Sequence, residues 1–128
     1  MNGVPHDVPL QNMVGSELTH IGLALHQIQF HFDDGTHLDK NGSWLSITGG
    51  WRLEDSSGKV VDEQIDPPSE RKSYQIHRLL MRTVTATSVD APKSFSLTFE
   101  NGDVLTVFDD SPHYECFSLR IRDREFHV

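Results

Sequence analysis

The sequence predicts an α+β, β-dominated fold: two copies of a short helix plus an antiparallel β-meander, packed about a pseudo-two-fold axis. Three observations predict it. Ile28 to Leu38 and Leu97 to Val107 have nearly the same pattern. In each, apolar residues alternate with polar ones up to Phe32 or Phe99, and Asp34-Gly35 or Asn101-Gly102 then supplies a pair that tolerates positive φ in a tight type I′ turn. Next, Leu10, Met13, Val14, Leu18 and Thr19 map onto Ile76, Leu79, Leu80, Val84 and Thr85 at one constant offset. Finally, Phe32, Gly35 and Leu38 map onto Phe99, Gly102 and Leu105 with the offset one residue longer. That slip falls where Asp90-Ala91-Pro92-Lys93-Ser94 stands opposite Ala24-Leu25-His26-Gln27, and an insertion in a turn costs little. The repeats therefore run over 10–53 and 76–121, joined by a connector over 54–75, within a single domain spanning 1–128. Their apolar faces pack against each other or line one shared sheet.

The elements follow in order. The first nine residues carry Pro5 and Pro9 and no periodicity, as in a tail or irregular lead-in. Leu10, Met13 and Val14 stand at helical spacing, and Gly15 ends that turn by taking a left-handed conformation. Leu18 to Leu23 reads as a strand. Between Leu25 and Ile28 the apolar parity flips, which requires a turn or bulge near His26-Gln27. Ile28, Phe30 and Phe32 face inward on the next strand, and Thr36 to Asp39 returns from the Asp34-Gly35 turn before a second turn at Lys40-Asn41-Gly42. Trp44, Leu45 and Ile47 begin another strand, bent at Gly49-Gly50, which Trp51 and Leu53 finish. Glu54 to Gly58 is a turn, Lys59 to Asp62 a short edge strand, and Ile65 to Ser69, with Pro67-Pro68, a connecting stretch that disfavours helix. The best helix follows from Ser69 to Arg82, with Ser69 as N-cap, Glu70 near the positive end of the dipole and Ile76, Leu79 and Leu80 as its stripe. Phe117, Leu119 and Ile121 share one face of the last strand; Cys116, Ser118 and Arg120 take the other.

A chain of 128 residues buries a core without disulfides or a structural metal. Met1 to Asp7 has no basic segment followed by an apolar run, and no apolar stretch approaches membrane-spanning length, so a cytoplasmic protein is expected. The single cysteine agrees with a reducing compartment. A formal charge of −8 disfavours nucleic acid, because a phosphate backbone is bound chiefly through Lys and Arg. Arg120, Arg122 and Arg124 are interleaved with Asp123 and Glu125 and read as a solvated edge. The acidic balance points instead to a basic protein partner drawn in by electrostatic steering.

Phe32-Asp33-Asp34-Gly35, Gly50-Trp51-Arg52-Leu53, and Phe108-Asp109-Asp110-Ser111 with Tyr114-Glu115 and Phe117 resemble motifs of a family of small uncharacterised bacterial domains. The resemblance covers most of the chain after the lead-in. It implies structural motifs and no activity. Where the family pattern has serine between the glutamate and the aromatic, this chain has Cys116, which counts against a catalytic thiol as a family trait.

Candidate chemistry is sparse. His20, His26, His31 and His37 lie among Asp33, Asp34 and Asp39, but zinc or iron needs three or four converging ligands. No His-x-x-x-His or Cys-x-x-Cys is present, so neither a metal nor a cofactor is expected. His31 and His37 would make at most a two-histidine pair across the first hairpin. Cys116, His113 and Asp109 or Asp110 assemble a triad on paper, yet a strand cysteine lacks the helix N-terminus that usually lowers a thiol pKa. Asp109, Asp110 and Glu115 form the densest carboxylate group. Turn aspartates ordinarily bond their own backbone; the functional reading is an acidic partner-binding patch of Asp109, Asp110 and Glu115 with Tyr114 as aromatic anchor. The expected function is a non-enzymatic, immunity- or antitoxin-like binding module holding a basic protein. The alternative is a small-ligand receptor or enzyme with a pocket between the repeats lined by Trp44, Trp51 and Tyr114. A homodimer through an outer strand is a third reading.

Overall fold

Alternating apolar and polar residues build strands rather than helices almost throughout the computed structural model, which describes residues 3–5, 7–24, 27–33, 42–64, 75–109, 116–121 and 124–127. The strands are β1 (Glu17–Leu23), β2 (Ile28–Asp33), β3 (Ser43–Ile47), β4 (Trp51–Glu54), β5 (Val60–Gln64), β6 (Val84–Asp90), β7 (Ser94–Phe99), β8 (Val104–Phe108), β9 (Phe117–Ile121) and β10 (Arg124–His127). Single 3-10 turns, η1 (Leu10–Met13) and η2 (Ile76–Leu79), precede β1 and β6. Among the described residues there is no α-helix, so the β-dominated expectation stands and its helical part does not.

Two antiparallel five-stranded sheets pack face to face. The first has the order β1-β2-β3-β9-β10, the second β5-β4-β8-β7-β6. Each takes three consecutive strands from one half of the chain and two from the other. The crossing occurs at Thr48 to Gly50, where the sequence suggested one bent strand: Thr48 N and Gly49 N both donate to Cys116 O, at 2.9 and 2.8 Å, and Phe108 N donates to Gly50 O at 3.0 Å. Backbone pairing thus changes partner within three residues, and β4 enters the opposite sheet.

One core lies between the sheets. Phe30, Phe32, Leu45, Leu119 and Ile121 from the first meet Phe95, Leu97, Phe99, Leu105 and Trp51 from the second. Phe95 and Phe117 join the layers edge to face with centroids 5.0 Å apart. Each such side chain contributes about 2 kcal/mol by leaving water. The lead-in is irregular, as expected, but docked: Val4 and Val8 are buried and Val4 N donates to Pro92 O at 3.0 Å.

Three local readings need correction. The Ser69 to Arg82 helix shrinks, among the described residues, to the single turn η2; Leu80 is extended and Met81 has φ of 68°. Good helix formers are overridden because Leu18 O and Ser16 O capture the amides of Met81 and Val84, at 2.8 and 2.9 Å. Positions 69–74 lie outside the described residues. The Asn101-Gly102 turn is not type I′: Gly102 alone has positive φ, 88°, and the bonds Gly102 N to Phe99 O and Phe99 N to Asp103 O make a type I turn with a glycine bulge. The partner of β2 is β3, with Phe30 opposite Leu45 as Leu97 is opposite Leu105. The Asp34-Gly35 turn and the returning Thr36 to Asp39 segment, Leu38 included, lie outside the described residues.

Two buried carboxylates tie η2 down. Asp62 faces inward from β5, opposite Leu53, and its Oδ2 accepts the amides of Gln75 at 2.7 Å and Ile76 at 3.0 Å, serving as a cap delivered from another element. Asp103, at the start of the β8 segment, accepts Arg78 Nε at 2.8 Å and Asn101 Nδ2 at 2.9 Å.

Candidate functional site

Strand parity decides which side chains reach solvent on the first sheet. Ile28, Phe30 and Phe32 point inward on β2, so Gln29, His31 and Asp33 point outward. Leu45 and Ile47 likewise send Trp44 and Ser46 outward on β3. Pairing then sets one row across all five strands: His20 opposite His31, His31 opposite Trp44, Trp44 opposite Arg120, Arg120 opposite Glu125. The next row holds Gly22, Gln29, Ser46 and Ser118.

Between these rows is an open depression of about 290 Å³ lined by Gln27, Gln29, His31, Trp44, Ser46 and Ser118, with Leu45 beneath. Ser46 is only 8% exposed although it faces outward. Gln27 Nε2 donates to Ser46 Oγ, and Gln29 Nε2 donates to Gln27 Oε1 at 3.5 Å, so the two amides are already oriented. The turn that aims Gln27 is closed by Ala24 N donating to Gln27 O at 2.9 Å, in the place where the parity flip required one.

The His20 and His31 rings meet edge to face with centroids 5.3 Å apart. Partial burial pushes the His31 imidazole below its ordinary value, and charge on His20 pushes it further. His31 is therefore neutral at neutral pH and presents one donor and one acceptor nitrogen. Among the described residues, the polar lining thus consists of amides, hydroxyls, a neutral imidazole and an indole.

The carboxylate group expected to bind a partner is only partly described. Asp110, Tyr114 and Glu115, and with them His113, lie outside the described residues. Asp109 is half-buried and engaged inside the molecule: Gly3 N donates to its Oδ2 at 2.7 Å and the Cys116 thiol donates to the carboxylate. Burial raises its pKa, but hydrogen bonding and nearby positive charge, to which the Cys116 and Gly3 bonds contribute, outweigh burial and hold the carboxyl below the ordinary value. Cys116 is fully buried, the setting of an inert thiol.

Trp44 and Trp51, expected to share a cavity, are separated. Trp44 stands on the outer face of the first sheet, whereas Trp51 is 2% exposed in the core. Among the described residues no three His, Cys, Asp or Glu side chains converge on a metal position. His31 meets His20 across β1 and β2; His26 and His37 lie outside the described residues. Among the described residues, no helix is long and apolar enough to cross a membrane.

Sequence reasoning missed Gln27, Gln29, Ser46 and Ser118. Parity alone could have put Trp44 on the same outer side as His31. That β9 would lie beside β3 and bring Ser118 to the depression had no local signal.

Comparison with protein-family models, with curated proteins and with solved structures found no match.

Proposed function

We propose that this chain is a non-enzymatic binding module that holds its ligand on the outer face of the first sheet, at the depression beside Trp44. The observation that carries the reading is a half-buried tryptophan flanked by oriented amides and hydroxyls on a rigid sheet. An aromatic anchor among fixed polar groups, on strands rather than loops, is the arrangement that binds with little ordering cost.

The repeat reading strengthens this proposal. The halves 10–53 and 76–121 are copies of one unit whose last strands, β4 and β9, have exchanged sheets about a pseudo-two-fold axis, each carrying along the strand that follows it, β5 or β10. In its favour, the strand orders become identical after that exchange. Leu18 N donates to Arg82 O and Val84 N to Ser16 O, while Gly15 N donates to Val84 O and Met81 N to Leu18 O, two reciprocal pairs. The bulges fall alike, at Thr19 and Thr85, whose hydroxyls donate to His31 O and Thr98 O. On this reading the second-sheet counterparts of Gln29, His31, Trp44, Ser46 and Ser118 are Ser96, Thr98, Val104, Thr106 and Arg52. Arg52 lies over Phe108 and bonds Glu54. One copy alone carries the aromatic and amide set, as expected of a specialised surface.

A second reading is a basic protein partner, held through Asp109, Asp110, Tyr114 and Glu115 and favoured by the charge of −8. One experiment tests both. Fractionated cell extract is passed over the immobilised protein, and over Trp44→Ala and Asp110→Lys/Glu115→Lys variants. The outer-face reading expects retention lost with Trp44→Ala alone; loss only on charge reversal transfers function to the acidic segment, and retention unchanged by Trp44→Ala refutes the outer face.

A further inference from the structure

The depression has a definite chemical character. Among the described residues, the polar side chains of its lining other than the Trp44 indole, namely Gln27, Gln29, His31, Ser46 and Ser118, are neutral at neutral pH and can both donate and accept hydrogen bonds. Among the described residues, no carboxylate is in the lining to recognise an amine. Among the described residues no lysine or arginine lines it either, and with these groups alone a phosphate or carboxylate would give up hydration with no countercharge. Arg120 lies across from Trp44, and both Arg120 and Ser118 already have an interaction within the protein; the Ser118 hydroxyl, with one donor and two acceptor sites, has capacity for a further bond.

A ligand that fits this lining must itself be neutral, carry several groups that donate and accept at once, and offer an apolar surface to an indole. A pyranose ring meets all three conditions. Its hydroxyls match amides and serine hydroxyls, and its axial C–H face suits an aromatic wall. Size agrees: about 290 Å³ is the lower end of the range for small-molecule sites, which admits one ring and not a chain buried end to end. Pre-orientation of Gln27 by Ser46, and of Gln29 by Gln27, lessens the ordering cost of binding a weak ligand.

Resting on the outer-face reading above, we infer that the depression formed by Trp44, Gln27, Gln29, His31, Ser46 and Ser118 is a binding site for a single neutral saccharide ring, in which the indole packs on the sugar C–H face and the amides and hydroxyls bond its hydroxyls.

Backbone-amide NMR of the full chain tests it. The probes are methyl α-glucopyranoside, methyl β-galactopyranoside, methyl α-mannopyranoside and N-acetylglucosamine, with glucuronate and glucosamine as charged controls. At least one neutral sugar is expected to bind saturably, with Kd of about 1–10 mM for a ligand of some dozen heavy atoms. The shifts should centre on Gln29, His31, Trp44, Ser46 and Ser118. Trp44→Ala and, separately, Gln29→Ala should weaken binding about tenfold each, as expected for one lost contact. Gln29 is exposed, so its variant keeps the fold even where the tryptophan variant does not. Absence of saturable shifts with all four neutral sugars overturns the inference. So does tighter binding of a charged control, or a Kd within twofold of wild type in Gln29→Ala. If the sugars fail while another ligand from extract perturbs the same residues, the saccharide class falls and the outer face stands; perturbation elsewhere removes both.

Discussion

Arg78→Met strips a guanidinium from a carboxylate that has little access to water. Asp103 is 1% exposed, and accepts Arg78 Nε at 2.8 Å, Arg78 Nη2 at 3.3 Å and Asn101 Nδ2 at 2.9 Å. Breaking a buried pair from one side costs about 3–5 kcal/mol, since the remaining charge is left uncompensated. The Arg78 side chain is 39% exposed, so water can partly take its place, which lowers the expected loss to about 2–3 kcal/mol. For a chain of this length that is a fall in Tm of roughly 8–12 °C. Thermal and urea unfolding at neutral pH, followed by circular dichroism, measure it. Adding Asp103→Asn removes the stranded charge, so the double variant should be at least as stable as Arg78→Met. A loss below about 0.5 kcal/mol for Arg78→Met, or a double variant clearly worse than the single, would refute the argument that desolvation of Asp103 sets the cost.

Other predictions bear on turns and titration. An alanine Cβ at Gly102 would lie 2.6 Å from Ser56 Cβ, whereas at Gly58, also at positive φ, it meets nothing within 4 Å. Gly58→Ala should cost about 1 kcal/mol and Gly102→Ala about 1–3 kcal/mol more, with Ser56→Gly recovering the excess; equal costs would contradict the close approach. His31 has a folded pKa below its ordinary 6.5, so the unfolded chain takes up the proton first; its contribution is full above pH 6.5 and lost as pH falls through the lowered value. In an NMR titration His20→Gln should move His31 up toward 6.5, and a wild-type His31 titrating at or above 6.5 would overturn this. Asp109 behaves in the same sense from a lower starting point: its stabilisation is present above pH 3.8 and disappears as pH drops through the depressed folded value. Asp109→Asn should therefore reduce acid sensitivity and speed amide exchange at Gly3 and Val4; unchanged exchange would show that the tether is not the carboxylate.

What was legible in the sequence was short in range. Alternation identified most strands and their buried faces, down to Phe30, Phe99 and Leu119, because side-chain parity along an extended chain is a local property. Gly15 at the end of η1, the turn before β2 and the edge position of β5 were readable for the same reason. Helix content was misread from Ser69 to Arg82 because propensity is a weak local bias. Among the described residues, carbonyls of Leu18 and Ser16, far away in sequence, take the amides that a continued helix would have used.

The candidate site divides in the same way. The polar outer positions of Gln29, His31 and Trp44 follow from their own strands. Tertiary structure decided that β3 pairs with β9, that the chain changes sheet at Thr48 to Gly50, and that Asp109 bonds Gly3 and Cys116. Sequence by itself determined which side chains leave water along each strand, since burial of apolar area is fixed by pattern. Which strands become neighbours depends on backbone hydrogen bonds that carry no side-chain identity, so the depression beside Trp44 came into view only once the sheets were assembled.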